Sequence, residues 1–344
     1  MNDQASNLRG LVESLRAQET GTGEQVATIV PPSVATGAVS FAPSCVQRPK
    51  KPLPKRASLA KAIAVCSGKG GVGKSNLSVN LAASMSALGL KVCLLDADLG
   101  MANADVLCNL SPRLTLEHVV SGRCRLAEAV LLAPGGFRLI PGASGVSGMA
   151  DLDTARRTNL INQLSALERL ADVLIIDCGA GISPNVLTFA AAANHVIVVT
   201  TTEPTAMMDG YGMVKALFTQ SPQSQIEVIV NMTGTEADGQ SVFARMSRVS
   251  NTFLSKHLLY GGCIPDDPAV REAVRLRMPF VLLAPDSPAA RTVKGISRRL
   301  AGLDDARIAQ SAAQELSDQP SGFFSRVARW LGKQNQSQKV AAVR

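Results

Sequence analysis

The residues best suited to chemistry are Gly68-Lys69-Gly70-Gly71-Val72-Gly73-Lys74-Ser75, a complete G-x-x-x-x-G-K-S spacing. Glycines reach backbone conformations closed to residues with a Cβ, so successive N–H groups can converge on one anion. Lys74 is placed to reach β- and γ-phosphates and Ser75 to coordinate Mg²⁺, with Val72 and Asn76 completing the contact stretch at a helix start whose dipole favours negative charge. The chemistry implied is phosphoryl transfer from a nucleoside triphosphate, which needs positioning and charge stabilisation rather than a covalent nucleophile. Two further groups suit that task. Asp177 ends the apolar run Val173-Leu174-Ile175-Ile176 and is followed by Gly179 and Gly181; it can hold Mg²⁺ through water, and the glycines can switch with the γ-phosphate. Asp96 and Asp98 follow another apolar run; Asp98 would orient the attacking water and Asp96 would support the metal shell. Lys69 is open on spacing alone: a solvated surface lysine, or one aimed outward at a nucleotide in a facing subunit.

Positioning these groups requires strands that end beside the loop. Ala62–Cys66, Lys91–Asp96, Val173–Asp177, Val196–Thr200 and Ile226–Asn231 read as strands apolar on both faces. Helical patterns separate them, such as Leu160, Leu164, Leu167 and Ala171 on one face, and the helix after the glycine loop ends near Gly89. That alternation predicts an α/β fold: a doubly wound, mostly parallel sheet covered by helices on both sides, with ligands at the carboxyl ends of the strands. The glycine loop, Asp96, Asp98 and Asp177 all fall at such ends.

Composition narrows the class. The 344 residues carry a net charge of +8, one Trp and seven scattered cysteines without a C-x-x-C pair. A reduced, cytoplasmic setting is expected, without a signal-peptide core, a membrane-spanning run or a metal-cluster motif. Residues 20–60 are rich in Pro, Gly and Ser and lead through the basic stretch Arg48, Lys50, Lys51, Lys55, Arg56 and Lys61 into the first strand; they read as a disordered, solvated linker, or one touching phospholipid or nucleic acid. The expected organisation is residues 1–19 as a partner-binding helix, this linker, a nucleotide domain over 61–305, and a tail over 306–344.

The K-G-G-x-G-K-S loop resembles the deviant Walker A motif of the MinD/ParA family, and Asp96-Ala97-Asp98-Leu99-Gly100 with Asn103 and Asp105 resembles its D-L-G-x-x-N-x-D element. The family usually has Thr where Cys178 stands. The resemblance implies a Mg²⁺-dependent ATPase that forms ATP-sandwich homodimers, in which Lys69 crosses to the partner's phosphates. It also implies that Asn231 and the Ile264-Pro265-Asp266 stretch hold the adenine; from chemistry alone Asn231 is either a base contact or a turn or cap residue.

Both ends add to this reading. Asp3-Gln4-Ala5 with Leu8 and Arg9 begins a pattern in which Leu8, Leu11, Val12 and Leu15 share one helical face. It would pack on its own domain or on a partner. Ahead of this loop, D-Q-A-x-x-L-R resembles the N-terminal motif of the flagellar branch of the family, FlhG (also FleN or YlxH), which implies stimulation of the GTPase FlhF. The branch further implies flagellar C-ring proteins and a FleQ-type transcription activator as partners. At the other end, Phe323, Phe324, Val327, Trp330 and Leu331 share a helical face beside Arg326, Arg329 and Lys333. That pattern suits either a reversible anchor at the anionic inner face of the cytoplasmic membrane or a helix docked on the core; the resemblance favours the membrane. The competing functions are a DNA-segregating ATPase of ParA type, with Arg271, Arg275, Arg298 and Arg299 facing phosphates, and a MinD-type regulator of division sites.

Overall fold

Eight strands lie in one sheet in the computed structural model, which describes residues 59–98, 103–142, 154–303 and 322–330. They are β1 (Lys61–Ser67), β2 (Val92–Ala97), β3 (Leu131–Leu132), β4 (Arg138–Ile140), β5 (Val173–Ala180), β6 (His195–Thr200), β7 (Ile226–Thr233) and β8 (Leu259–Pro265). Their order is β3-β4-β2-β5-β1-β6-β7-β8, parallel throughout except for the β3–β4 pair. The five expected runs are β1, β2, β5, β6 and β7, all buried because helices cover both faces. Three strands escape a pattern reading. β3 and β4 are two and three residues long. β8 contains Gly261 and Gly262, which weaken a strand signal. Gly261 is required there, since a Cβ would stand 2.5 Å from Glu227 Oε1.

The helices, in chain order, are α1 (Lys74–Ala87), α2 (Ala104–Leu107), α3 (Leu116–Val120), α4 (Leu126–Ala129), α5 (Thr154–Arg169), α6 (Pro184–Ala192), α7 (Pro204–Gln220), α8 (Glu236–Leu254), α9 (Pro268–Arg275), α10 (Phe280–Leu283) and α11 (Pro288–Leu300), with α12 at residues 323–330. Proline opens α6, α7, α9 and α11, where its missing N–H costs nothing. Ser183, Asp267 and Ser287 accept hydrogen bonds from backbone N–H groups in the first turns of α6, α9 and α11. The sheet divides the core. On one side Leu160 and Leu164 of α5, Phe189 of α6, Met213 and Leu217 of α7, and Val242 and Met246 of α8 pack together, joined by Phe323, Phe324 and Val327 of α12. On the other side Leu77, Leu81 and Met85 of α1 pack with Phe280, Val281, Ala290, Val293 and Ile296.

No helix among the described residues is long and apolar enough to cross a membrane.

Candidate nucleotide site

The carboxyl end of β1 turns through Gly68–Gly73 into α1, with Gly71 at φ +82° and Gly73 at φ +88°, conformations that favour glycine. Space constrains two positions independently. A Cβ on Gly68 would collide with the Asp209 carbonyl of α7 at 2.0 Å, and one on Gly73 with Asn231 Nδ2 at 2.2 Å. Over Gly70 and Gly71 nothing lies within 4 Å of an added Cβ, so the loop opens outward as a cradle.

Lys74 turns into the protein. Its Nζ donates to Asp177 Oδ1 at 2.8 Å and to Ser75 Oγ at 3.1 Å, with the Lys74 and Asp177 side chains only 7% and 0% exposed. Burial pulls the Lys74 pKa down, but the charge and hydrogen bond of Asp177 outweigh it and the net shift is upward, so the ammonium stays charged. Ser78, one turn along α1, also donates to Asp177 Oδ1, at 3.1 Å. Asp177 Oδ2 is buried without a hydrogen-bond partner. A fully buried carboxylate with one orphaned oxygen, beside a serine hydroxyl and an open glycine cradle, fits a Mg²⁺–triphosphate.

Asp96 pairs in register with Asp177 across β2 and β5, but its oxygens are occupied: Oδ1 accepts the Asp98 N–H at 3.2 Å, and Oδ2 accepts those of Asn103 and Ala104 at 3.1 Å each. Burial first, and then Asp177, push Asp96 up to about 7. These bonds shape the turn after β2, and Asp177 is the carboxylate that has an oxygen without a partner. Asp98 lies beside Gly179: a Cβ there would sit 3.4 Å from its Oδ1. Cys178, where the family usually has Thr, is fully buried and leaves the Asp177 backbone in register with β1 and β2.

Lys69 points elsewhere. Its Nζ donates to Glu203 Oε2 at 3.0 Å and to Thr205 Oγ1 at 3.1 Å, all three exposed at the start of α7. One loop thus sends its two lysines to different addresses. Sequence reading missed Glu203, Thr205 and Ser78. The Glu203-Pro204 helix start is legible, but nothing in the chain ties it to a lysine 134 residues away.

The adenine-side residues come together only in part. The ends of β7 and β8 are adjacent, through Thr233 opposite Pro265 and the Asp266 N–H on the Thr233 carbonyl. Asn231 donates through Nδ2 to the Val72 carbonyl at 2.9 Å, so it braces the glycine loop, a task not foreseen. The Ile264 side chain belongs to the core, and Asp266 pairs with Arg271.

Of the two readings of the C-terminal stripe, this structure shows the docked one: Phe323, Phe324 and Val327 are 0%, 3% and 2% exposed. Phe323 stacks on Phe189 of α6. Glu168 of α5, itself buried, accepts the Phe323 and Phe324 N–H groups at the start of α12, and Arg326 donates to the Ala192 carbonyl. The same stripe that suits a lipid surface finds an apolar face on its own domain, with a carboxylate at the helix N-terminus. Trp330 stays half-buried, while Leu331, the N-terminal residues Asp3, Gln4, Ala5, Leu8 and Arg9, and the linker up to residue 58 lie outside the described residues. Three of the four arginines expected to face DNA are engaged with carboxylates: Arg271 with Asp266, Arg275 with Glu272, and Arg299 with Glu227.

Comparison with known proteins bears on the family and the fold. A family described as "AAA domain" matches residues 60–225. The antiactivator FleN of Pseudomonas aeruginosa is 41% identical over 69% of this chain and 85% of its own length. The flagellum site-determining protein YlxH of Helicobacter pylori is 32% identical over 79% of this chain and 91% of its own. Among solved structures, the septum site-determining protein MinD of Pyrococcus horikoshii, complexed with Mg-ADP, superposes with a TM-score of 0.58 at 23% identity, covering 72% of this chain and all of that one.

Proposed function

This chain belongs to the MinD/ParA family of P-loop ATPases, in the branch of FleN and YlxH, and from that premise we propose that it is an ATP-dependent dimerising switch that sets the number and placement of flagella. One observation carries the reading: Lys74 is committed inward to Asp177 while Lys69, five residues earlier, is held on the exterior by Glu203. A single-subunit site has use for the first lysine only. The second is explained by a nucleotide presented from outside, in a second copy.

When ATP enters, its phosphates compete with Asp177 for the Lys74 ammonium and occupy the cradle over Gly70 and Gly71. Ser75 and the orphaned oxygen of Asp177 would hold Mg²⁺, which would supply positive charge against the β- and γ-phosphates. Asp98 orients a water in line with the γ-phosphorus; the water's oxygen bonds to phosphorus, the bridging bond to the β-phosphate breaks with its electron pair going to ADP, and ADP, inorganic phosphate and a proton lost from the water to solvent result. Lys69 leaves Glu203 for the partner's phosphates and closes the dimer. Asn231 releases the Val72 carbonyl and turns to the base, beside Pro265 and Asp266. The segment holding Asp3, Gln4, Ala5, Leu8 and Arg9 stimulates FlhF, and C-ring proteins and a FleQ-type activator are the remaining partners. Attachment of α12 to an anionic membrane requires it to leave Glu168 and Phe189, an exchange that dimer closure drives; two such helices in one dimer then gain by effective concentration.

The test is Asp98→Ala in the full chain and in flagellated cells. ATP binding and dimerisation persist, turnover falls at least a hundredfold, and flagellar number departs from wild type. Unchanged turnover, or wild-type flagellation with turnover lost, refutes the reading.

A further inference from the structure

A cluster of exposed apolar side chains lies far from α12. Val274, Leu276, Met278, Leu282 and Leu283 are all exposed within one ten-residue stretch, Leu276 at 55%. Local hydrogen bonding fixes their projection. Arg277 takes a left-handed conformation (φ +52°), its N–H donates to the Val274 carbonyl, and the Met278 N–H reaches back to the Ala273 carbonyl, a helix-ending motif that locks the turn between α9 and α10. Behind the turn, the buried Asn80 side chain of α1 accepts the Val281 N–H at 3.0 Å and anchors α10. This exposure is therefore built into the fold.

The electrostatic setting is one-sided. Residues 268–300 contain seven Arg and Lys against two carboxylates; Arg271, Arg275 and Arg299 are paired with Asp266, Glu272 and Glu227, while among the described residues Lys294 donates only to the Pro285 carbonyl, which leaves its charge uncompensated. Lys294 and Arg298, one turn apart on α11, border a cavity of about 210 Å³ walled by Ala83, Ala87, Val281 and Leu282. The face belongs to the layer of the sheet opposite α12.

We propose that this α9–α11 face is a contact surface for an anionic phospholipid bilayer, with Leu276, Met278, Leu282 and Leu283 entering the interface and Arg277 and Lys294 meeting head-group phosphates. Aliphatic tips surrounded by cations match such a leaflet in both polarity and sign. An acidic amphipathic helix would match the same signs, but it needs a straight trough, and this stretch bends at Arg277 and again at Pro279, between α9 and α10. The inference goes beyond the membrane attachment proposed above, because it uses a different layer of the fold and does not require α12 to undock.

The test is flotation of the full, nucleotide-free chain with vesicles of phosphatidylglycerol and phosphatidylcholine, against phosphatidylcholine alone. Wild type floats with the anionic vesicles only, and binding weakens as salt rises. Leu276→Glu with Leu283→Glu lowers the bound fraction at least tenfold, and Arg277→Gln with Lys294→Gln lowers it several-fold, with melting temperatures unchanged. Absence of wild-type flotation, equal flotation on uncharged vesicles, or indifference to both double variants overturns the proposal. Sedimentation of the same samples with an ATP analogue reads dimerisation separately, so failure of this surface is distinguishable from failure of the switch.

Discussion

Replacing Lys74 with Met should cost this protein stability as well as nucleotide binding. The Lys74 ammonium and the Asp177 carboxylate are 2.8 Å apart with side chains 7% and 0% exposed. Without the ammonium, Asp177 keeps only the Ser78 hydroxyl, and its neighbour across the ladder is another carboxylate, Asp96. Leaving one member of a buried pair uncompensated costs about 3–5 kcal/mol. For a domain of this size that corresponds to a fall in Tm of roughly 6–20 °C. Asp177→Asn strands the ammonium instead and should cost a similar amount. The double variant Lys74→Met/Asp177→Asn buries no charge at this point and should be at least about 2 kcal/mol more stable than the sum of the single losses predicts. The assay is urea and thermal unfolding at pH 7.5 without nucleotide and with chelator. Because the Lys74 pKa is raised, its contribution is complete at that pH and is lost only as pH rises through the folded value. Losses that add to within about 0.5 kcal/mol would refute the pairing on which the site description rests.

Three other expectations follow from the geometry. Glu203→Gln loosens Lys69 from its exposed resting place; a pair this solvated contributes no more than about 1 kcal/mol, so dimerisation should need up to about fivefold less ATP analogue at low salt, and no change at any ionic strength would mean the pair restrains nothing. Glu168→Ala leaves the Phe323 and Phe324 N–H groups without their acceptor, at about 1–3 kcal/mol, so α12 should become cleavable by trypsin at Arg326 and Arg329 in the monomer; protection equal to wild type would show that Glu168 does not hold the helix. Burial pushes Glu227 up, but hydrogen bonds and charge from His195 and Arg299 bring it down to about 2, so its stabilisation is present above pH 4.5 and lost as pH falls toward 2; Glu227→Gln should flatten unfolding free energy over that window by about 3 kcal/mol, and a parallel curve would contradict the assignment.

The parts of the fold that a sequence discloses are those that repeat a local rule. β1, β2, β5, β6 and β7 are long apolar runs, and the glycine loop is a fixed spacing joining a strand to a helix, so both are legible in one dimension. β8 is not, because its two glycines are there for Glu227 and for an irregularity in the pairing with β7, where Gly262 takes φ +105°, rather than for strand propensity. Within the site, Lys74, Ser75 and Asp177 are identified by their types at the ends of elements. Glu203, Thr205 and Ser78 are not, since their relevance comes from which strand ends the topology makes neighbours. Asp96 was assigned by type, and its three backbone donors emerge only once the turn after β2 is formed. The apolar stripe of α12 is a fact of the sequence, whereas its occupant is decided by Phe189 and Glu168, more than a hundred residues away. A stripe states that something covers it and leaves open what.

The most direct test of the two-lysine loop is sedimentation of the wild-type chain and of Lys69→Ala with a slowly hydrolysed ATP analogue and Mg²⁺. Wild type should sediment as a dimer with analogue and as a monomer without it, and Lys69→Ala should bind the analogue yet stay monomeric. A wild type that remains monomeric at saturating analogue, or a Lys69→Ala chain that dimerises as well as wild type, would contradict the account.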